Sequence, residues 1–244
     1  MRFPPLSPSP LPLPRRTTAC HWITLLGALL LSACAGKPPA PDWQTNAFAA
    51  LKGFSSAYLS GNTRLADFEF ARAKSELAST GRADLLARAE LTRCAVRLAS
   101  LEFDQCAGYQ PLAAEAGPEE QAYAAFLSAQ WRGLDAARLP PQYRAIVLNA
   151  VTDTPPDSRA SAIETIEDPL ARLVAAAALL QSARLNNTGI VMATETASGQ
   201  GWRRPLLAWL GLQRQRALQA NDPALAARLE RRVDLVLQGA AKTP

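Results

Sequence analysis

Histidine occurs once in this chain, at His21, and methionine twice. Long apolar runs are missing too. The run Trp22 to Ala33 (WITLLGALLLSA) would rise about 18 Å as a helix, well short of a hydrocarbon layer of about 30 Å, which makes it a poor permanent membrane span. β-branched runs are scarce, which leaves little material for a sheet. The sequence holds no Gly-x-Ser-x-Gly elbow, no Walker loop and no dinucleotide fingerprint after a strand. No cysteine, histidine and carboxylate cluster has metal spacing, so neither a cofactor nor a metal is expected.

What is present at the amino terminus has the layout of an export signal: Arg15 and Arg16, a short apolar core, then small residues. The core ends in Leu31-Ser32-Ala33-Cys34, which resembles the lipobox of bacterial lipoproteins. That resemblance implies a signal over residues 1–33, lipid transfer to the Cys34 thiol and cleavage before it. Two or three acyl chains hold far more firmly than one. Ala35 follows the cysteine; in enteric lipoproteins an Asp there favours inner-membrane retention, so the resemblance implies an outer-membrane anchor facing the periplasm. Arg15-Arg16 lacks the apolar residues of a twin-arginine signal, which points to general secretion. Met1 to Pro14 is too proline-rich to pack; it reads either as a long leader or as a misassigned start.

Removing the signal removes His21, which excludes a Ser-His-Asp triad, a Cys-His dyad and histidine metal ligation. Arg2, Arg15 and Arg16 leave with it, taking the 26 basic residues to 23 against 21 acidic ones. A chain this close to neutral, in the periplasm, gives no reason to expect nucleic acid. The charge is uneven: residues 201–244 hold eight basic and three acidic side chains, a solvated helix face or a contact for anionic lipid headgroups or an acidic partner. Cys20 leaves with the signal and Cys34 takes the lipid. Cys94 and Cys106 remain, in a compartment where disulfides persist. Residues 102–106 are long enough to bring Cys106 back to the level of Cys94 on a helix, so a Cys94–Cys106 bridge is expected.

After a tether over residues 34–41, nearly every segment reads as helix, rich in Ala, Leu, Arg, Glu and Gln. The spacing predicts helices from Asp42 to Ser60, with Asp42 as cap and Phe48, Leu51, Tyr58 and Leu59 apolar. Two more follow, from Thr63 to Thr80, burying Leu65, Phe68, Ala73 and Leu77, and from Ala83 to Leu101. Pro118, Pro140-Pro141, Asp168-Pro169 and Asp222-Pro223 mark later starts. Gly189 to Thr194 is read as helix, since a lone strand has nothing to pair with. Thr152 to Asp157 (TDTPPD) divides residues 42–152 from 153–244.

Helices of this length joined by short turns pack as antiparallel hairpins. Tyr58-x-x-Gly61 with Ala66, Phe70 and Ala73 resembles the middle of a tetratricopeptide repeat, one residue short in its spacing, and residues 206–238 give a second partial match. The resemblance implies an all-α, TPR-like α-solenoid; an irregular helical bundle is the alternative. Among functional candidates, Ser198-Gly199-Gln200-Gly201 could cradle an anion. Glu119-Glu120 or Glu164 and Glu167 could supply a carboxylate pair for glycosidic cleavage. Trp131, Tyr143, Trp202 and Trp209 could line a peptide groove. Trp202 beside Arg203-Arg204 is the first choice as a partner-binding site, since it opens a helix in the basic third. The whole resembles TPR-type proteobacterial outer-membrane lipoproteins. It implies a non-enzymatic adaptor for another envelope protein, with a cell-wall enzyme using a Glu, of the lytic transglycosylase kind, as the alternative.

Overall fold

The computed structural model describes residues 39–152 and 161–241. The expected signal, Cys34 and most of the expected tether lie outside the described residues, as does the TDTPPD break after Thr152. The chain divides into residues 1–40 and 41–244, and all helices considered below belong to the second unit. Among the described residues every regular element is helical. The α-helices are α1 (Asp42–Leu59), α2 (Thr63–Ala78), α3 (Ala83–Ala99), α4 (Pro118–Leu127), α5 (Pro141–Val151), α6 (Pro169–Gln181), α7 (Asn187–Gly199), α8 (Arg203–Gln219) and α9 (Pro223–Ala241). Short 3-10 turns cover Gln110–Glu115 and Ala136–Arg138. Gly189 to Thr194 lies inside α7, as the spacing predicts.

The predicted caps act where Asp precedes Pro. Asp168 Oδ1 accepts from the Ala171 amide at 2.7 Å and Asp222 Oδ1 from the Leu225 amide at 2.9 Å, satisfying amides that have no partner within the helix. Asp42 differs: Pro41 holds the cap position and Asp42 is the first helical residue, without a capping bond. Its charge still faces the positive end of the helix.

Several helix ends close alike. In α1 the Gly61 amide donates to Tyr58 O and the Asn62 amide to Ala57 O; in α8 the Asn221 amide donates to Leu218 O and the Asp222 amide to Ala217 O. This paired closure needs a left-handed residue, and Gly61 (φ 89°) and Asn221 (φ 55°) supply it. The following residue caps the next helix in both hairpins, Asn62 through Leu65 and Asp222 through Leu225. One tight turn therefore ends one helix and starts its antiparallel neighbour. Asn46 reaches Glu76 across the first hairpin, and Arg214 pairs with Glu230 across the last.

In α1–α2 the buried face is Ala50, Phe54, Ala57, Ala66, Phe70 and Ala73. The Phe54 and Phe70 rings meet at 5.1 Å. Phe48, Leu65 and Phe68, expected among the apolar contacts, are instead exposed, at 71%, 44% and 61%. Each helix carries more apolar positions than one stripe can hold, and the alanine stripe wins because it lets the backbones approach closely. Leu85 and Leu86 of α3 are only half-buried, while Ala87, Leu91, Cys94 and Leu98 form its inner stripe.

The main core gathers around α6, whose residues Leu173 to Leu179 are wholly or almost wholly buried. A helix apolar on all sides belongs at the centre, and each buried Leu or Val there contributes about 1.5–3 kcal/mol relative to exposure. α6 packs on α3, α4, α5 and α7, so elements on either side of residue 153 share one core. A smaller core lies under α1 and α2, and Leu170 and Trp202 pack against both. Trp131, Tyr143 and Trp209, candidates for a groove, are core residues: their rings are 5%, 3% and 0% exposed. Trp131 and Trp209 donate their indole N–H to Phe126 O and Ala99 O, so their polar tips are satisfied inside.

Candidate functional site: the junction at the start of α8

Cys94 sits on the inner stripe of α3, and the chain leaves that helix through Leu101 in a left-handed turn (φ 61°). Asp104 Oδ1 accepts from the Cys106 amide at 3.0 Å, folding the loop back. Cys94 and Cys106 are disulfide-bonded, their Cα atoms 5.1 Å apart. The bond closes a loop that carries two acids toward the rest of the fold.

Those acids meet two arginines. Arg97 pairs with Glu102 at 3.1 Å and with Asp104 at 2.8 Å, and Arg204 approaches Glu102 at 3.6 Å. Burial alone would lower the Arg97 pKa; Asp104 and Glu102 more than offset it, so it is raised. Arg204 also donates to Tyr58 O at 2.8 Å and to Thr63 Oγ1 at 2.7 Å. Its guanidinium lies 4.1 Å from the Tyr58 ring centroid, a cation–π contact. Burial first, and Glu102 second, push the Tyr58 phenol well above its ordinary range. Arg203 donates through Nε to Ser60 O at 3.0 Å.

The three residues singled out as a partner site thus occupy one junction. Trp202 caps α8 without a side-chain capping bond and spans the two cores. Arg204 is committed inward, while Arg203 bonds through Nε alone, leaving its Nη groups without a partner among the described residues. Outside them opens a cleft of about 460 Å³ bounded by Ser60, Gly61, Thr63, Arg203, Arg204 and Leu207.

The other candidates are placed as follows. In Ser198 to Gly201 the amides of Gly201 and Trp202 donate to Ser198 O and Ala197 O, closing α7, so that turn is not a free anion cradle. Glu164 and Glu167 are exposed. Glu120 pairs with Arg88 at 2.6 Å, and with Glu119 it borders a cleft of about 410 Å³ that also includes Tyr123 and Arg144.

One carboxylate the sequence reasoning passed over is Glu90, 4% exposed on the inner stripe of α3. It receives Lys74 Nζ at 3.0 Å and lies 3.4 Å from Arg93 Nε. The Arg93 guanidinium covers the Phe70 ring at 4.9 Å. Gly108, two residues past Cys106, rests against Glu90, and a Cβ there would collide with Glu90 Oε2. The readable signal was a charge in register with Ala87, Leu91 and Cys94. None of the clefts above includes Glu90.

Among the described residues no group of three His, Cys, Asp or Glu could hold a metal ion, and no helix is long and apolar enough to cross a membrane. Comparison with protein-family models, with curated proteins and with solved structures finds no match.

Proposed function

We propose that this chain is a lipid-anchored lipoprotein of the bacterial outer membrane. In this reading residues 1–33 direct export, Cys34 carries the lipid, and the helical unit faces the periplasm as a non-enzymatic scaffold for another envelope protein. The observation that carries export is the Cys94–Cys106 bond, since disulfides persist mainly in oxidising compartments. The scaffold reading draws on a fold built for surface presentation: hairpins joined by tight turns, with Leu65 and Phe68 left outside.

The finer architecture belongs to the same proposal. Ala66 and Ala73 are wholly buried in α1–α2, and the α8–α9 turn repeats the closure and cap of the first hairpin. Both support a TPR-like pair at each end. Between them α1 reaches α8 and α3 reaches α6, skipping neighbours as an open solenoid does not, which favours the irregular-bundle alternative for the middle.

A second reading has one observation behind it: Glu119 and Glu120 border the cleft shared with Tyr123 and Arg144, the setting a cell-wall enzyme using a Glu would need. Against it, Glu120 is already held by Arg88. Labelled palmitate is expected to enter the wild-type protein and not Cys34→Ala; label in the variant would refute the anchor. Crosslinking in the envelope is expected to capture one stoichiometric protein. Muropeptide release by the purified protein, abolished by replacing either Glu, would replace the scaffold with the enzyme.

A further inference from the structure

The surface around the α1–α2 turn and the start of α8 combines three properties. The first is unspent positive charge. Arg203 is fixed through Nε to Ser60 O and turns its remaining donors outward. Arg64, in the first turn of α2, makes no hydrogen bond or ion pair among the described residues. The second is exposed apolar area: Leu65 at 44% and Phe68 at 61%, one helical turn apart. The third is concavity. The cleft at Arg203 adjoins a second, of about 550 Å³, bounded by Asn62, Arg64, Leu65 and Phe68. Gly61 and Thr63 border the first cleft and Asn62 and Arg64 the second, so both open at the α1–α2 turn. No acidic residue lines either cleft.

We infer that this surface is where a protein partner docks, and that it takes an acidic, leucine-rich amphipathic segment. The inference rests on the scaffold reading and deepens it. A carboxylate meets Arg203 edge-on, the geometry in which two parallel N–H groups bind two oxygens. Because Nε is already anchored, little side-chain freedom remains to be lost on binding. Apolar side chains of the same segment cover Phe68 and Leu65, and a second acid reaches Arg64. The concave shape and the fixed guanidinium favour a peptide over a lipid surface, which asks only for mobile positive charge and inserted apolar groups.

The test uses the full-length protein in neutral detergent and a fluorescent twelve-residue amphipathic peptide of Glu and Leu, read by anisotropy at low salt. The Glu–Leu peptide is expected to bind. Its Lys–Leu and Glu–Ser counterparts are expected to bind at least about tenfold more weakly, for want of charge match and apolar cover respectively. Arg64→Glu and Phe68→Ser alter exposed side chains without internal bonds; each is expected to weaken binding about tenfold with an unchanged melting temperature. Arg203→Glu is expected to weaken it further. Equal binding to wild type and Arg64→Glu, or no binding to wild type, overturns the proposal. So does a result in which only phosphatidylglycerol vesicles, and not the peptide, protect Phe68→Cys from a thiol reagent: that outcome makes the surface a lipid contact. If Arg64→Glu and Phe68→Ser still capture the envelope partner in crosslinking, this docking surface fails while the scaffold reading stands.

Discussion

The guanidinium of Arg204 lies 4.1 Å from the centre of the Tyr58 ring and donates to the Tyr58 carbonyl, across 146 residues of chain. One side chain thereby binds the end of α1, the first residue of α2 through Thr63, and the disulfide-closed loop through Glu102. The first hairpin is otherwise attached mainly by α3 and by the apolar bridge of Trp202 and Leu170.

Arg204→Ala is therefore expected to destabilise the protein by about 2–3 kcal/mol, from lost charge-assisted bonds and an exposed Tyr58 ring face. Arg204→Lys restores the charge and not the planar fork, so it should recover less than half. Denaturant unfolding measures both. A loss below about 0.5 kcal/mol would mean that the junction contributes little.

Thiol counting on denatured, unreduced protein is expected to find Cys94 and Cys106 both blocked. Reduction, or Cys94→Ala with Cys106→Ala, should cost about 3 kcal/mol by the chain-entropy estimate for a loop of this length. Release of the loop also frees Glu102 and Asp104, so hydrogen exchange should quicken at the C-terminal turns of α1 and α3. Unchanged exchange there would separate the bond from the junction.

The alkaline limit of stability should carry the mark of Tyr123 and Tyr143, half-buried and buried respectively. Burial raises the Tyr123 phenol to about 12 and holds that of Tyr143 well above the ordinary 10.0, and the two rings stack 5.8 Å apart between α4 and α5. A raised folded pKa gives stability that is complete below pH 10 and lost as pH rises toward 12, because the unfolded chain releases those protons first. The melting temperature is expected to be flat from pH 8 to 9.5 and to fall steeply above 10. The loss is up to about 1.4 kcal/mol per pH unit for each such tyrosine. Tyr143→Phe should start lower and fall less steeply; an identical slope would discount the pair.

Gly108→Ala is expected to cost about 1–3 kcal/mol, since its methyl group needs the space held by the Glu90 carboxylate. Glu90 cannot swing away without leaving Lys74. Glu90→Ala alone should also destabilise, by stranding Lys74 beside the Phe70 ring. Combined with Gly108→Ala it should cost less than the two separate losses together. Simple additivity in a double-mutant cycle would refute the contact.

How much of this was legible beforehand differs from residue to residue. The helix starts at Pro118, Pro141, Pro169 and Pro223 could be read from the chain because proline presets one dihedral, and at Pro169 and Pro223 the preceding Asp also supplies the cap. The Cys94–Cys106 bond could be read because a short loop limits where Cys106 can go. Which apolar stripe of α1 and α2 turned inward could not. Ala66 with Phe70 and Leu65 with Phe68 are both spaced for a helical face, and only the arrival of a partner helix chooses between them.

The same division holds at the start of α8. Local chemistry alone determined the helices, their turns and the closed cysteine loop, because each depends on residues within about a dozen positions. Trp202, Arg203 and Arg204 stood out in the sequence as an aromatic beside two charges, and that is as far as composition reaches. Tertiary structure decided that Trp202 would bridge two cores, that Arg204 would turn inward to Tyr58 and Glu102, and that Arg203 would keep its outer edge free. Those roles depend on chain segments more than 100 residues apart being packed together, which follows from burial summed over the whole chain and from no local pattern.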